Sequence, residues 1–431
     1  MRGLLHQVLA NLRANRLRTF LTMFGIAWGV VSVVVLSATG EGFRRGNEHV
    51  LQELGRNISI VWGQRTSTQP GGLRAGRAIH LTLDDARALE RGSSMIAVVS
   101  PELTRGAVAV ESAYNSASLG VHGVEPAYQD IRTIDIDRGR GLTERDEHTG
   151  RRVAVIGADV ATQLFAARHP IGETIRLSGL PYIVVGTIRD KQQDSSYSGR
   201  DNELLFVPFT AMARDLPRLD APPGSLSNIV LAPHPWVVAA LPRVLDARQG
   251  RIEDVEWPLE REIRGVLAAR HGFDPDDPDA IVTWDTSLES LMFGRMVAGM
   301  RRFFTVVGLV TLGLGALGVM NIMLVAVRER TREIGVRMAM GATRRDIEKQ
   351  FFLEGFVLTV VSGSVGFGFA AAVCTALNQL PMPARFEGMI LTPGAGMLAV
   401  AAIACAGVVA SLYPARRAAR LTPVEALRFE A

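Results

Sequence analysis

The residues able to do chemistry are few and badly spaced for it. Of the 47 Lys and Arg, only Lys191 and Lys349 are lysine. A phosphate loop of the Gly-Lys-Ser/Thr kind needs its lysine to reach the β and γ phosphates, but Asp190 and Glu348 precede the two lysines. These residues therefore carry no such loop. The eight histidines, at 6, 49, 80, 122, 148, 169, 234 and 271, fall into no His-x-x-x-His or other close metal-ligand spacing and read as scattered surface residues. There is no Gly-x-Ser-x-Gly elbow. The acidic run 274–279 could draw a cation, yet its alternating prolines favour a surface loop. Neither a catalytic residue nor a resident metal or cofactor is expected.

Positioning elements come next, and they are dominated by membrane spans. The 431 residues are 48% hydrophobic and 21% charged, with a mean hydropathy of +0.18, which excludes disorder, collagen and coiled-coil rods. Charge-free runs cover 19–40, 303–327, 355–384 and 388–415. Each exceeds the roughly 20 residues a helix needs to cross about 30 Å of hydrocarbon. Loop residues Asn378, Pro381 and Pro383 trim the third run to 355–377, and Pro393 and Pro414 set the fourth at 393–414. The first run is too long for a signal-peptide core and reads as an uncleaved anchor. Cys374 and Cys405 both fall inside spans, so they exclude a disulfide scaffold and read as small hydrophobes.

Arginine placement orients the chain. Segment 1–18, a cytoplasmic amphipathic stretch, holds four arginines and no acid; 328–350 holds six arginines and Lys349; the tail 415–431 holds four more. By the positive-inside rule all three face the cytoplasm. The excursion 41–295 and the short loop 378–392 then lie outside, in a bacterial periplasm or its equivalent. The net charge of +4 reflects those inside arginines and does not point to nucleic acid.

The excursion reads as a folded domain. Short β-like runs at 57–62, 96–100, 106–110, 117–121, 153–156 and 181–188 alternate with helical patterns at 83–91, 158–166, 236–245 and 259–270. Polar stretches 66–78 and 190–202 read as surface loops, and 125–215 as a lobe inserted in the rest. The fold class is thus a membrane domain of four transmembrane helices plus a mixed α+β domain inserted between helices one and two.

Within the spans, Asn321 is the one amide in a firm span, so no ion path is written there. Gly25 and Gly29 form a Gly-x-x-x-Gly that suits close helix packing or dimerisation. The loop 328–350 is more informative. Ile334, Val336, Met338 and Met340 alternate with arginines in a helical stretch ending near Gly341, and Thr343 caps the next helix. Such a helix offers both apolar grip and charge to another protein, or to acidic lipid.

The run VRERTREIGVRMAMGATRRDI at 327–347 resembles the most recognisable stretch of the MacB/FtsX superfamily of ABC-transporter permeases. YPARRAARLTPVEALR at 413–428 is similar to that family's C-terminal end, and LRTFLTMFGIAWG at 17–29 to its first span. In the excursion, Asp137–Arg140, 153–157, Leu164-Phe165, 170–172, 184–186 and Arg270-His271 with its acidic sequel resemble the family's periplasmic core.

The resemblance implies four transmembrane helices, a homodimer, and two ATPase domains docked on the helix between spans two and three. That coupling role would fall to Glu329, Arg332, Glu333, Ile334, Gly335, Arg337 and Gly341. ATP and Mg would be held by the partner, with no cofactor on this chain. Because only 18 residues precede the first span, the ATPase is expected on a separate polypeptide, which leaves a periplasmic adaptor open. The resulting expectation is an inner-membrane export permease for a hydrophobic or amphipathic substrate: drug, peptide, lipid or lipoprotein. The alternative is a regulator that controls a periplasmic enzyme and transports nothing.

Overall fold

The structure, a computed structural model, describes residues 16–55, 57–68, 75–191, 193, 197–247, 257–383, 385–422 and 426. It divides into two compact units, one drawn from 1–46 and 294–431 and the other comprising Asn47–Phe293.

The second unit is built on one ten-stranded sheet. Its strands are β1 (Ser59–Gly63), β2 (Ile96–Glu111), β3 (Ser116–Val124), β4 (Ile136–Gly139), β5 (Val153–Ile156), β6 (Thr174–Leu177), β7 (Leu180–Ile188), β8 (Leu204–Pro208), β9 (Asn228–Pro233) and β10 (Ile281–Asp285). Their order is β10-β1-β9-β2-β3-β8-β5-β7-β4, with β6 paired to β2 and β7. Pairs β3/β8 and β5/β7 are parallel and the others antiparallel. Alternate residues fill two separate cores. Val61, Val121, Leu205 and Ile229 enter one; Ile60, Val124, Phe206 and Val230 enter the other. That alternation follows from the two-residue period of a strand, and here both faces are covered.

Helix α1 (Arg16–Leu54) leads into this unit; α2 (Leu83–Gly92), α3 (Ala127–Ile131), α4 (Glu144–Thr149), α5 (Ala158–Phe165), α6 (Phe209–Asp215), α7 (Pro235–Ala247) and α8 (Pro258–His271) connect its strands. α9 (Thr286–Glu329) leaves it. α10 (Thr331–Ala339), α11 (Arg344–Leu377) and α12 (Pro393–Ala419) complete the chain. Helices α1, α9, α11 and α12 are long and apolar enough to cross a membrane. Ile26, Val30 and Val34 of α1 share a buried cluster with Leu312, Ala316 and Val319 of α9, Phe351 and Leu358 of α11, and Ala399 and Ile403 of α12.

Several expectations change. The runs 96–100 and 106–110 are one strand, β2, bent at a bulge between Arg105 and Val108. Strands β4, β6, β8, β9 and β10 appear where no strand was expected; in β8 and β9 the reason is that their residues point into cores on both sides. The stretch 190–202 is not a surface loop throughout: Lys191, Gln193, Asp201 and Asn202 are buried. Helix α12 continues through Pro414 to Ala419. Proline removes one backbone hydrogen bond, but Ala415, Ala418 and Ala419 beyond it are buried, and their packing keeps the helix going.

Candidate functional site

Helix α10 begins where α9 ends, and one hydroxyl joins them. Thr331 Oγ1 donates to the carbonyls of Val327 at 3.0 Å and Arg328 at 2.9 Å. Two straps then hold α10 to the start of α11. Arg330 Nη1 lies 3.3 Å from Glu354 Oε1, and Arg337 Nη1 donates to Gln350 Oε1 at 2.7 Å. Thr343 caps α11 through a reciprocal box with Asp346: its amide reaches Asp346 Oδ2 at 3.0 Å, and the Asp346 amide reaches Thr343 Oγ1 at 3.3 Å. Gly341, with φ of +102°, makes the left-handed turn between the two helices.

The helix has two faces. Ile334, 2% exposed, packs in the bundle core with Val327, Ile347 and Phe351. Gly335 is buried too; a Cβ there would stand 2.6 Å from the Ala426 Cβ, so only glycine fits without a shift. Outward lie Glu329, Arg332, Glu333, Val336 and Met340, with Gly341 exposed at the end and Arg337 half-buried over Glu333 at 2.5 Å. Met340 is 77% exposed. Of the seven positions singled out by sequence, Glu329, Arg332, Glu333 and Gly341 face solvent, whereas Ile334 and Gly335 face their own bundle. Val336 and Met340 supply the outward apolar surface, which Arg328, Arg332, Arg344 and Arg345 surround with exposed positive charge.

Gly25 and Gly29 sit where α1 crosses α9. A Cβ on Gly25 would lie 3.2 Å from Gly315 Cα, and one on Gly29 would lie 3.0 Å from Leu312 Cα. Across the contact, a Cβ on Gly315 would come within 2.8 Å of the Gly25 carbonyl carbon. At Gly25 and Gly315 the backbones touch because neither side carries a side chain, and at Gly29 the glycine makes room for Leu312.

The α/β domain contains a buried polar cluster that the sequence did not reveal. Glu102 on β2 is fully buried. It takes His122 Nδ1 at 2.7 Å, and hydrogen bonds from Tyr128 at 2.9 Å, Tyr197 at 2.6 Å and Asn228 at 2.5 Å. Burial alone would raise its pKa, but the His122 charge and these donors outweigh burial and hold it below the usual carboxylate value. Next to it, Arg132 Nη2 donates to Asp201 Oδ1 at 2.8 Å while its guanidinium lies 4.7 Å from the Tyr197 ring centroid. Lys191 Nζ reaches Asp201 Oδ2 at 3.2 Å. Glu102 faces His122, and Arg132 and Lys191 share Asp201, while Arg132 Nε and Nη1 are buried with no hydrogen-bond partner among the described residues. Similarly, Asp277 of the acidic run is buried and accepts from Ser67 and Thr68. Among the described residues no group of His, Cys, Asp and Glu is arranged to hold a metal.

Four apolar helices with a mixed α/β domain carried between the first two define a multi-pass membrane protein with one large extramembrane domain. Residues 19–241 match the MacB-like periplasmic core domain and residues 305–423 the FtsX-like permease C-terminal domain. The chain belongs to the MacB/FtsX-like family of ABC transporter permeases. It is an inner-membrane protein with a periplasmic domain. It is 34% identical to the pyoverdine export ATP-binding/permease protein PvdT of Pseudomonas entomophila, over 96% of this chain and 58% of that one. It is 32% identical to the macrolide export ATP-binding/permease protein MacB of Vibrio parahaemolyticus, over 98% of this chain and 59% of that one. The chain thus spans about three-fifths of the length of these relatives. Among solved structures, the periplasmic region of MacB from Actinobacillus actinomycetemcomitans matches with a TM-score of 0.41 and 18% identity, over 56% of this chain and 94% of that one.

Proposed function

We propose that this chain is the membrane subunit of an ABC exporter, acting as a homodimer with ATPase subunits that are separate polypeptides. The observation that carries the reading is the two-faced helix α10. Its inner face is fixed to the bundle by Ile334, Gly335 and two arginine straps, while Arg332, Val336 and Met340 face outward. A helix anchored this way passes a push on its outer face into α9 and α11, because Thr331 and the straps leave it little independent freedom. The positive-inside distribution supports a cytoplasmic position for that face, where a nucleotide-hydrolysing partner would dock. The names of the relatives speak of pyoverdine export and macrolide export; for this chain we infer a hydrophobic or amphipathic substrate taken up on the periplasmic side, with an adaptor as a further partner.

A second reading, a regulator that moves a periplasmic enzyme and carries nothing, is favoured by one observation: spans 303–327, 355–377 and 393–413 hold no charged residue. Purification of the native complex in mild detergent tests both. An ATPase recovered at two copies to two, with ATP turnover stimulated by amphipathic compounds, supports export. A periplasmic hydrolase with unstimulated turnover supports the regulator. Absence of any ATPase in the presence of nucleotide would overturn both.

A further inference from the structure

Helix α9 carries an exposed stripe with the spacing of a helix-pairing seam. Met296, Met300, Phe303, Val307, Val310, Leu314 and Leu317 follow one another at intervals of four and three, and all are at least 43% exposed. At 3.6 residues per turn they fall within about 100° of the helix circumference. The next position in the series is Asn321, which is also exposed and has no hydrogen-bond partner among the described residues.

Asn321 decides what covers this stripe. It lies seven residues from Arg328, about 10 Å into the apolar segment at the helical rise, too far for a short amide to reach the interface. Lipid chains could cover the methionines, phenylalanine and leucines, but they cannot satisfy an amide, whose burial without a partner is costly. An identical asparagine can. The side chain carries both donor and acceptor, so two copies related by a twofold axis pair reciprocally. The 3.5-residue repeat selects a partner helix of the same kind, because it keeps the stripe facing a second helix over two turns and more. Beside the stripe, Leu309, Gly313, Ala316 and Leu317 of α9 with Cys405 and Ala406 of α12 line an apolar hollow of about 200 Å³, which can receive side chains from the facing helix. The exposed faces of α11 and α12 have no comparable amide: Asn378, at the end of α11, is already bonded to Met389.

We infer that α9 pairs with α9 of a second copy along Met296–Leu317, and that Asn321 pairs with Asn321 across the axis to fix the register. The inference deepens the homodimer of the proposed function and rests on it.

The test is a single-cysteine scan of the full chain in native membranes, in a background with Cys374→Ala and Cys405→Ala. Oxidation of Leu314→Cys and Asn321→Cys is expected to give disulfide-linked dimers, while Val365→Cys on α11 and Val400→Cys on α12, equally exposed, stay monomeric. In detergent, Asn321→Leu should weaken dimerisation by about three- to thirtyfold, and Asn321→Gln should recover most of it. Dimers that cross-link at Val365 or Val400 but not along α9 would overturn the seam while leaving the ATPase-driven assembly intact. A monomer that still binds and stimulates the ATPase would overturn the dimer, and the seam with it.

Discussion

His122 Nδ1 lies 2.7 Å from Glu102 Oε1 in the middle of the sheet, bridging adjacent strands β2 and β3 with no access to water. The carboxylate also serves Tyr128, Tyr197 and Asn228, so it ties both strands to α3, β9 and the segment before β8. Glu102→Gln keeps the shape but puts an NH2 group against donors, leaving buried polar atoms unpaired. We expect it to lower the stability of the domain by about 2–4 kcal/mol, seen as a lower denaturant midpoint in chemical unfolding followed by tryptophan fluorescence. An unchanged midpoint would show that the cluster is not a stabilising network.

Acid should weaken the same domain, and the sign follows from Asp85. Burial would raise its pKa, but hydrogen bonds from His271, Arg270 and Thr82 dominate and hold it well below the ordinary 3.8. A carboxyl depressed in the folded state contributes stability fully above its unfolded value and loses it as pH falls through the folded value. Unfolding midpoints should therefore be flat above about pH 5 and fall steadily below pH 4. Asp85→Asn should flatten that acid limb and cost about 1–2 kcal/mol near neutrality, since it also removes the reciprocal cap on Thr82.

The α1–α9 contact tolerates no added bulk. Gly315→Val would drive a Cβ to 2.8 Å from the Gly25 backbone, an overlap that only separation of the helices relieves. The expected loss is about 1–3 kcal/mol, read as a lower melting temperature in detergent. Gly368→Ala on α11, with open space around it, serves as the control and should melt like the parent.

On α10 the two faces should separate stability from coupling. Met340→Asp and Val336→Asp alter exposed positions, so the chain should fold and insert normally while substrate-stimulated ATP turnover falls about tenfold, equal to roughly 1.4 kcal/mol of coupling. Ile334→Ala should act differently. It empties a buried site and costs about 2–4 kcal/mol of bundle stability, so its effect on turnover should follow its melting temperature. If Met340→Asp and Val336→Asp left stimulated turnover intact, the outer face would not be the docking surface.

The membrane helices were legible because charges are frequent elsewhere and vanish in the runs 19–40, 303–327, 355–384 and 388–415. The cap at Thr343 was equally plain, since a capping residue acts on its own local turn. The two faces of α10 were less so: alternation of arginine with Ile334, Val336, Met338 and Met340 marked an amphipathic surface, but not that Ile334 points inward and Met340 outward. Strands β8 and β9 were missed for a physical reason. Both sheet faces are covered, so Leu204–Pro208 shows no polar alternation to distinguish it from any apolar run. The Glu102–His122 pair was invisible because its partners lie 20 residues apart on adjacent strands, and nothing in a histidine's neighbours along the chain tells a buried one from a surface one.

The burial of Lys191 has a practical outcome. Its amine is held between Asp201 and the Arg132 carbonyl with its side chain 4% exposed, and Lys349 is the one other lysine. Lys349 stands exposed in the second turn of α11, one residue before the Gln350 that Arg337 of α10 holds. Amine-directed reagents applied to the folded protein should therefore mark Lys349 and spare Lys191, so a fluorophore can be carried at the start of α11 without engineering a single residue.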